Sequence, residues 1–564
     1  MATKNIVVVG AGFAGVTATR KLAKQLKGTD YQIVLVDKHS FMTYMTELHE
    51  VATGRVTPEH VRKDLQTLFK PYPNVKLVTA EVSDIDKDQK VVKTSVGEIP
   101  YEKLVLATGG TTNTFGTPGV YEYGFTLWSY EEAIRLRKHI EDVVRRGAVE
   151  LDPKKREAML HFVIVGSGFT GAELAGELMD QRHSLVEENG LDESEIKIDV
   201  IEAAPSILNM LSKRDLADKA QKHFEDHDIH ISTSTSVTEV KENAAVLKDG
   251  TEIPTNTLIW TAGVKANDQT TQWGLELGPG KRFLADEYSR AKGEEDIYVA
   301  GDTAAYQDPK LADPNNPKAG WTPQTVEGAE SASNTVVPNL VYDLTQKGER
   351  KQFKGRYQGY AVSIGSRYAV GVLDQIGNMK IGKNGIGLSG FFANLFKHAI
   401  NIYFYLGIHS WYYLGHYLRD EFFNAPDRRE PFFGWASRRG NVLFTVPLRI
   451  ILGIILIFLG GSVALSGTFV GVIFTIIGWL LTFGLFTSAA GFVGIIMTLV
   501  LIMQPNLEVG MLLFALAPAL LAVMNGSGRV LGLDYWVMPW LERKFDISLH
   551  GKHKSVYDQY NNKK

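Results

Sequence analysis

Short, unbroken apolar runs alternate with longer stretches of helical periodicity over the first two thirds of the chain, and glycines mark the joins. Ile6–Gly10 is one such run; a helical stretch over Val16–Lys27 follows, then a second run, Ile33–Asp37. Strands this uniformly apolar are buried on both faces, as in a parallel sheet covered by helices. The unit recurs as His161–Val165, a helix opening A-E-L-A-G-E-L, and a strand I-D-V-I-E ending at Glu202. A polar insert, VEENGLDESE, lengthens the second copy between helix and strand. Residues 1–380 therefore predict an α/β protein containing a tandem βαβ repeat.

The pattern then changes. From Ile450 to Leu507 there is no Asp, Glu, Lys, Arg or His, and after Glu508 the next charge is Arg529. A bilayer-spanning helix takes roughly 20 apolar residues, so four spans are expected at 442–465, 468–487, 489–504 and 508–525. They make an all-α transmembrane domain over 441–545, followed by a basic tail, 546–564. A buried helical core in a soluble protein is the alternative, but the cost of inserting charge into lipid accounts better for so long a charge-free stretch. Residues 391–421 mix Phe, Tyr, Trp and Leu with Lys and Arg, as helices lying in a membrane interface do. A charged linker, 423–440, separates them from the spans. Arg438 and Arg439 before the first span, Arg449 near its start, and Arg543 and Lys544 after the last, predict a multi-pass protein of the cell membrane with residues 1–440 in the cytoplasm.

The 564 residues exceed one ordinary core, and a net charge of −3 gives no argument for nucleic acid. The absence of cysteine excludes disulfides, thiolate metal sites, iron–sulfur clusters and cysteine nucleophiles. No metal site is expected. His398, His409 and His416 are candidates for haem, but interfacial histidines are the commoner reading.

Both repeats carry G-x-G-x-x-G between strand and helix: Gly10, Gly12 and Gly15 in the first, Gly166, Gly168 and Gly171 in the second. Such glycines let the backbone approach a pyrophosphate at the helix N-terminus, and an acid ending the next strand binds ribose hydroxyls. Asp37 and Glu202 are those acids. A carboxylate at Glu202 would repel a 2′-phosphate, which favours NADH over NADPH. Two nucleotides in one Rossmann-type chain suggest FAD in the first site and NADH in the second. The A-G-D at 300–302 would complete the flavin site.

With GAGFAG, TELHEVATG, LATGG, GSGFTGAELAGEL, WTAGV and YVAGD in place, residues 1–420 resemble the type II NADH:quinone oxidoreductases, two-dinucleotide flavoproteins. The resemblance implies a discontinuous FAD-binding domain (1–120 and 265–350), an NADH-binding domain (121–264) and a membrane-anchoring region (351–422). It implies FAD contacts from Gly10, Gly12, Phe13, Ala14, Gly15, Asp37, Lys38, Thr46, Val82, Ala107, Thr108, Gly109, Gly301, Asp302, Val326 and Lys397. It implies NADH contacts from Gly166, Gly168, Phe169, Thr170, Gly171, Glu202, Ala262 and Gly263. Glu173 would assist hydride transfer beside nicotinamide and flavin; the plainer reading is an acid stabilising a helix N-terminus.

Relatives carry A-Q-x-A-x-Q at the quinone, whereas here Glu327 and Ser331 replace both glutamines. The expected acceptor is a membrane quinone of menaquinone or demethylmenaquinone type, and the expected partners are the lipid bilayer and a second copy in a homodimer. P-L-R-I-I-L-G-I-I-L-I-F-L-G-G and N-G-S-G-R-V-L-G-L-D resemble a DoxX-type membrane module. Such an addition is associated with flavin-based extracellular electron transfer in Gram-positive bacteria, and that role is a further expectation. Disulfide, peroxide and sulfide:quinone reductases share the fold but need a redox cysteine. An NADH oxidase or ferric reductase, and a non-catalytic membrane redox sensor, stay open.

Overall fold

The structure, a computed structural model, describes residues 4–211, 213–312, 319–376, 379–381, 385–407, 410–422, 442–462, 467–502, 516–524, 526–538 and 540–541. The linker 423–440, the tail 546–564, His409 and much of the expected fourth span lie outside the described residues. The chain divides into two compact units, Met1–Pro431 and Phe432–Lys564.

Two parallel sheets organise the first unit. One is ordered Ile297–Val299, Lys103–Leu106, Lys4–Val9, Tyr31–Asp37, Val75–Thr79. The other is ordered Phe125–Thr126, Thr257–Trp260, His161–Val165, Lys197–Ile201, His230–Ser232. Their central strands are the unbroken apolar runs, and Ile6, Val7, Val8, Phe162, Val163 and Ile164 are wholly buried. Ile297–Val299 returns from late in the chain to the edge of the first sheet, bringing Gly301 and Asp302 to its C-terminal end.

Each nucleotide helix starts inside its glycine motif, at Phe13 (Phe13–Gln25) and Phe169 (Phe169–Asn189). Apolar periodicity placed the first start at Val16. The turn itself is made by Gly10 (φ +102°) and Gly166 (φ +97°), so the next residues are free to begin the helix at once. The first four residues of the second copy's insert extend this helix, which Gly190 ends in the left-handed conformation, and its last three form a short 3-10 turn, Glu193–Glu195.

A three-stranded antiparallel sheet, Gly359–Ser363, Ala369–Leu373 and Ile386–Ser389, leads into helices Phe391–Gly407 and Trp411–Phe422. One face of this pair is buried through Lys397, Asn401, Tyr405 and Tyr417. The other exposes Phe392, Tyr403 and Trp411.

The second unit is helical: Val442–Gly460, Phe469–Phe483, Thr487–Ile502 and Ala517–Val523. The first two run close together because glycines face each other; a Cβ on Gly478 would stand 2.6 Å from the Gly453 carbonyl oxygen. Asp534 accepts from the amides of Phe486 (2.6 Å) and Thr487 (3.0 Å), ahead of the third helix. Buried Arg449 donates to the carbonyls of Ser527 (2.5 Å) and Leu531 (2.9 Å). Among the described residues no helix is long and apolar enough to cross a membrane. The first two expected spans are placed as helices shorter than expected, Val442–Gly460 and Phe469–Phe483; the third is placed as Thr487–Ile502, and of the fourth only Ala517–Val523 is described as helix. Phe469–Phe483 ends at left-handed Gly484, and at 1.5 Å per residue its 15 residues reach about 22 Å of a ~30 Å hydrocarbon core.

Candidate functional site

The glycines divide into two kinds. A Cβ on Gly15 would overlap the Gly10 carbonyl oxygen, and one on Gly171 would overlap that of Gly166; these positions close strand, turn and helix together. Gly12 and Gly168 instead have nothing within 4 Å of a Cβ, and each precedes a helix whose N-terminus has no side-chain cap and no acid in its first turn. Uncapped amides beside open space form an anion cradle, which fits a dinucleotide pyrophosphate in both copies. The two acids are already oriented. Asp37 accepts from Ala11 N (2.6 Å) and His39 N (2.8 Å). Glu202 accepts from Ser167 N (2.8 Å), Ser167 Oγ (2.6 Å) and Ala204 N (2.8 Å).

The remaining expected residues scatter around these cradles. Ala14, Val82 and Ala107 are buried, Lys38 and Thr46 are exposed, and Thr108 donates to Thr303 Oγ1 at 3.0 Å. A Cβ on Gly109 would meet nothing. Phe13 packs edge-on against Phe404, 4.9 Å between centroids, and Phe169 tilts against Tyr360 at 5.5 Å. Thr170, like Val326, is half-buried; Ala262 lies against Gly166 and Gly263 against the ring of Phe115. Burial pushes the Asp302 carboxyl up to about 6, and Arg282 opposes the rise. Glu327 and Ser331 both turn to residues 356–358: Gln358 N donates to Glu327 (2.9 Å) and Arg356 N to Ser331 Oγ (3.1 Å).

A polar cluster joins the two nucleotide halves and the C-terminal helices. Glu173 is the fifth residue of its helix, past the first turn. Its carboxylate accepts from Ser363 N (3.4 Å) and lies 3.7 Å from His49 Nδ1. His49 neighbours Glu50 at 3.7 Å, and Glu50 pairs with both Lys397 and Arg55, the latter at 3.0 Å. Arg55 also reaches Glu177 (3.3 Å) and Glu421 (2.5 Å). Beyond them Glu47 bonds His60 (3.0 Å) and accepts from Asn401 (2.6 Å). Tyr44 donates to Asn401 (2.8 Å), and His398 Nδ1 bonds the Tyr417 hydroxyl (2.7 Å).

Burial dominates the titration here. It pushes Glu173 up to about 8 and His49 down to about 4, so at neutral pH both are uncharged. Burial also acts to raise Glu50, but Arg55 and Lys397 outweigh it and hold Glu50 well below the usual carboxylate range. Glu421 goes the other way, up to about 8, because burial beside other carboxyls exceeds the pull of Arg55. Glu50 is therefore the ionised partner of Arg55, and Glu421 keeps its proton. Among the described residues, Glu47, Glu50, His60 and Glu421 cluster as tightly as metal ligands do, as do His49, Glu50 and Glu177. Here Arg55 and Lys397 already supply positive charge.

The sequence singles out Glu173 for hydride transfer and Lys397 for the flavin, and not the groups that connect them here, Arg55, His60, Glu177, Asn401 and Glu421. Glu177 had a usable signal: it sits four residues after Glu173, on the same helix face. In TELHEVATG the acids Glu47 and Glu50 turn into this cluster, while Thr46 faces out.

Residues 4–330 match the family model described as pyridine nucleotide-disulphide oxidoreductase. A type II NADH:quinone oxidoreductase of Staphylococcus haemolyticus is 31% identical over 308 residues, 54% of this chain and 75% of that protein. One from Staphylococcus aureus (strain NCTC 8325 / PS 47) is 30% identical over 375 residues, 66% of this chain and 90% of that protein. In fold, the chain is similar to NDH2 from Plasmodium falciparum in complex with NADH: TM-score 0.65, 17% identity, covering 76% of this chain and all of that one. It is also similar to the sulfide:quinone oxidoreductase of Aquifex aeolicus: TM-score 0.56, 18% identity, covering 72% and 91%. By these matches the chain belongs to the pyridine nucleotide-disulphide oxidoreductase family and, within it, to the type II NADH:quinone oxidoreductases.

Proposed function

We propose that the protein oxidises NADH and reduces a membrane quinone, with FAD as the carrier. The observation that carries this is the convergence of both nucleotide units on one cluster. Glu173 comes from the second motif's helix, and His49 and Glu50 from just beyond the first motif's acid. FAD, when bound, would supply hydride-carrying chemistry, relaying two electrons and one proton from NADH to the quinone. Gly10–Gly15, Asp37 and Asp302 would hold it. Gly166–Gly171 and Glu202 would hold NADH. The family relatives bear the name NADH:quinone oxidoreductase, and another structure of the Plasmodium falciparum protein is in complex with RYL-552. The test is oxidation of NADH, against NADPH, by the full chain with menaquinone and demethylmenaquinone analogues, oxygen and ferric acceptors. Turnover with oxygen or iron but not quinone would overturn the acceptor, and equal kcat/KM for NADH and NADPH the role of Glu202.

Glu173 holds a proton below about pH 8 and supplies it as the second of the two protons that quinol formation takes up, the first arriving with the hydride of NADH. Quinone turnover should fall as pH rises through that value. General acid–base groups contribute about 10²–10⁴-fold, so Glu173→Gln should slow turnover on the order of 100-fold and remove the fall. A Gln variant with the wild-type pH profile would exclude this role.

The same proposal attaches the protein to a membrane. Support comes from exposed Phe392, Tyr403 and Trp411 on the aromatic helices, and from Ile451, Phe458, Phe469, Ile476, Trp479 and Phe492 on the outside of the second unit. Glycine-to-glycine helix packing in that unit is the mode used within lipid. We extend this to a multi-pass, DoxX-like module with the nucleotide domains in the cytoplasm, and to a part in extracellular electron transfer. A reporter fused after Lys564 should read cytoplasmic; an extracytoplasmic signal would reject an even number of crossings. Loss of iron reduction by cells lacking the gene tests the last role, and sedimentation equilibrium tests the homodimer.

A further inference from the structure

Among the described residues, the strand Gly359–Ser363 lies at the edge of its sheet, paired with Ala369–Leu373 alone. Ile364 N bonds Tyr368 O (2.8 Å) and Asp374 N bonds Gln358 O (2.8 Å), so the even-numbered residues face the partner strand. By alternation the amides of residues 359, 361 and 363 face the open edge. An exposed row of amides normally pairs with another strand or is covered. Here carboxyls from two different helices sit at its two ends: one takes the Gln358 amide just before the strand, outside the alternating row, and the other the Ser363 amide of the open edge. Glu327, in the first turn of Val326–Thr345, accepts from Gln358 N at 2.9 Å. Glu173, on Phe169–Asn189, accepts from Ser363 N at 3.4 Å.

Further anchors lie just outside. Arg356 N donates to Ser331 Oγ on the same helix as Glu327. Ser366 N and Oγ donate to Asp180 (2.7 and 2.6 Å) on the same helix as Glu173. One short strand is thus tied at its start to the helix that follows the A-G-D return, and at its end to the second nucleotide helix. Its register is well determined. Gly359 has φ +142°, and a Cβ there would overlap the Val372 carbonyl oxygen, so the start of the strand has little freedom to slide.

We propose that Glu327 is a positioning residue for Glu173: it fixes the start of this strand, and the strand presents the Ser363 amide to the Glu173 carboxyl. The inference rests on the reading of Glu173 as the proton-holding group of the quinone reaction. It assigns the Glu327 Oε1 to holding Gln358 N, a role distinct from a direct quinone contact. Groups facing Glu173 are His49, Glu50, Glu177, Lys397 and the Ser363 amide. Those facing Glu327 are Glu330, Asp374 and the amides of Gln358 and Gly359. An amide donated to a carboxylate favours its charged form. Loosening Ser363 therefore moves the Glu173 ionisation further up.

The test compares Glu327→Leu, which removes the acceptor, with Glu327→Gln, which keeps one, in the full FAD-loaded chain. Amide hydrogen exchange is the first readout. In the Leu variant, exchange should quicken about tenfold at Gln358 and also at Ser363, equivalent to ~1.4 kcal/mol; the Gln variant should match wild type. The second readout is the pH profile of quinone turnover, whose basic limb should move upward in Leu and stay in Gln. Faster exchange at Gln358 with Ser363 unchanged would overturn the proposal and leave the role of Glu173 intact. Faster exchange at both, with a flat profile in wild type and in Glu173→Gln, would uphold the coupling and reject the role of Glu173. If the Leu variant does not fold, the Gln variant decides: quickened Ser363 exchange or a shifted limb there overturns the proposal.

Discussion

Gly171→Ala is expected to abolish NADH binding while the protein still purifies with its flavin. The added Cβ would overlap the Gly166 carbonyl oxygen and stand 2.7 Å from Thr261 Oγ1. The first of these is main chain within the tight turn and cannot rotate away. The helix must therefore back off from the turn, taking the uncapped amides beyond Gly168 out of line with the pyrophosphate. A rise in Kd of at least 100-fold, about 2.7 kcal/mol, is the expected scale. Gly15→Ala is the mirror experiment: its Cβ would overlap the Gly10 carbonyl oxygen, and it should yield protein without bound flavin. Flavin absorbance and NADH titration by fluorescence read the two sites separately. Wild-type NADH affinity in Gly171→Ala would reject the second cradle. Loss of both cofactors in either variant would show that the two units do not bind independently.

Arg55→Leu should produce the largest loss of stability of any single side-chain replacement in the polar cluster. The guanidinium, 10% exposed, pairs with Glu50, Glu177 and Glu421, all wholly buried at the side chain. Removing one partner of a buried ion pair costs about 3–5 kcal/mol, and the Glu50 charge left behind would keep Lys397 as counter-ion but lose its guanidinium. At a few °C per kcal/mol in a large domain, the melting point should fall on the order of 5–10 °C. Glu421 and Glu173 keep their protons when folded, up to about pH 8, and release them near the usual 4.5 when unfolded. The folded state therefore binds more protons between those values, and these two groups subtract stability as pH rises through that window. Glu50, held low, adds stability over its own range and loses it only in acid. Without Arg55 the larger part of the support for Glu50 is lost and only that of Lys397 and the neighbouring histidines stays, so the variant's deficit should be greater at pH 8 than at pH 5. Thermal denaturation across that range measures it. A deficit that shrinks toward alkaline pH would mean the cluster is not held by Arg55.

The second-copy insert, the charge-free C-terminal stretch and the two dinucleotide motifs were all legible in the sequence, because each is a local pattern. An apolar run buried on both faces, a glycine that must take positive φ and an acid at a strand end are dictated by neighbours a few residues away. Asp37, Glu202 and the paired glycines sit as that logic requires. The helix starts at Phe13 and Phe169 were missed by apolar periodicity because a turn, not a hydrophobic face, sets them. The length of the C-terminal helices was equally hidden: hydropathy runs through Gly460–Gly461 and Gly484, but the backbone does not.

What only the tertiary structure decided is the polar cluster and the strand that borders it. Arg55 meets Glu421, and Glu50 meets Lys397, across more than three hundred residues. No periodicity encodes such pairs. A lone Glu or Arg in sequence reads as a solvated surface charge, and burial alone turns it into a group that must find a partner or keep its proton. The same holds for Glu327. In sequence it is a substitution in a helix; in the fold its oxygen holds an edge strand whose far end is held by Glu173, and that link exists only once three separate segments are packed together.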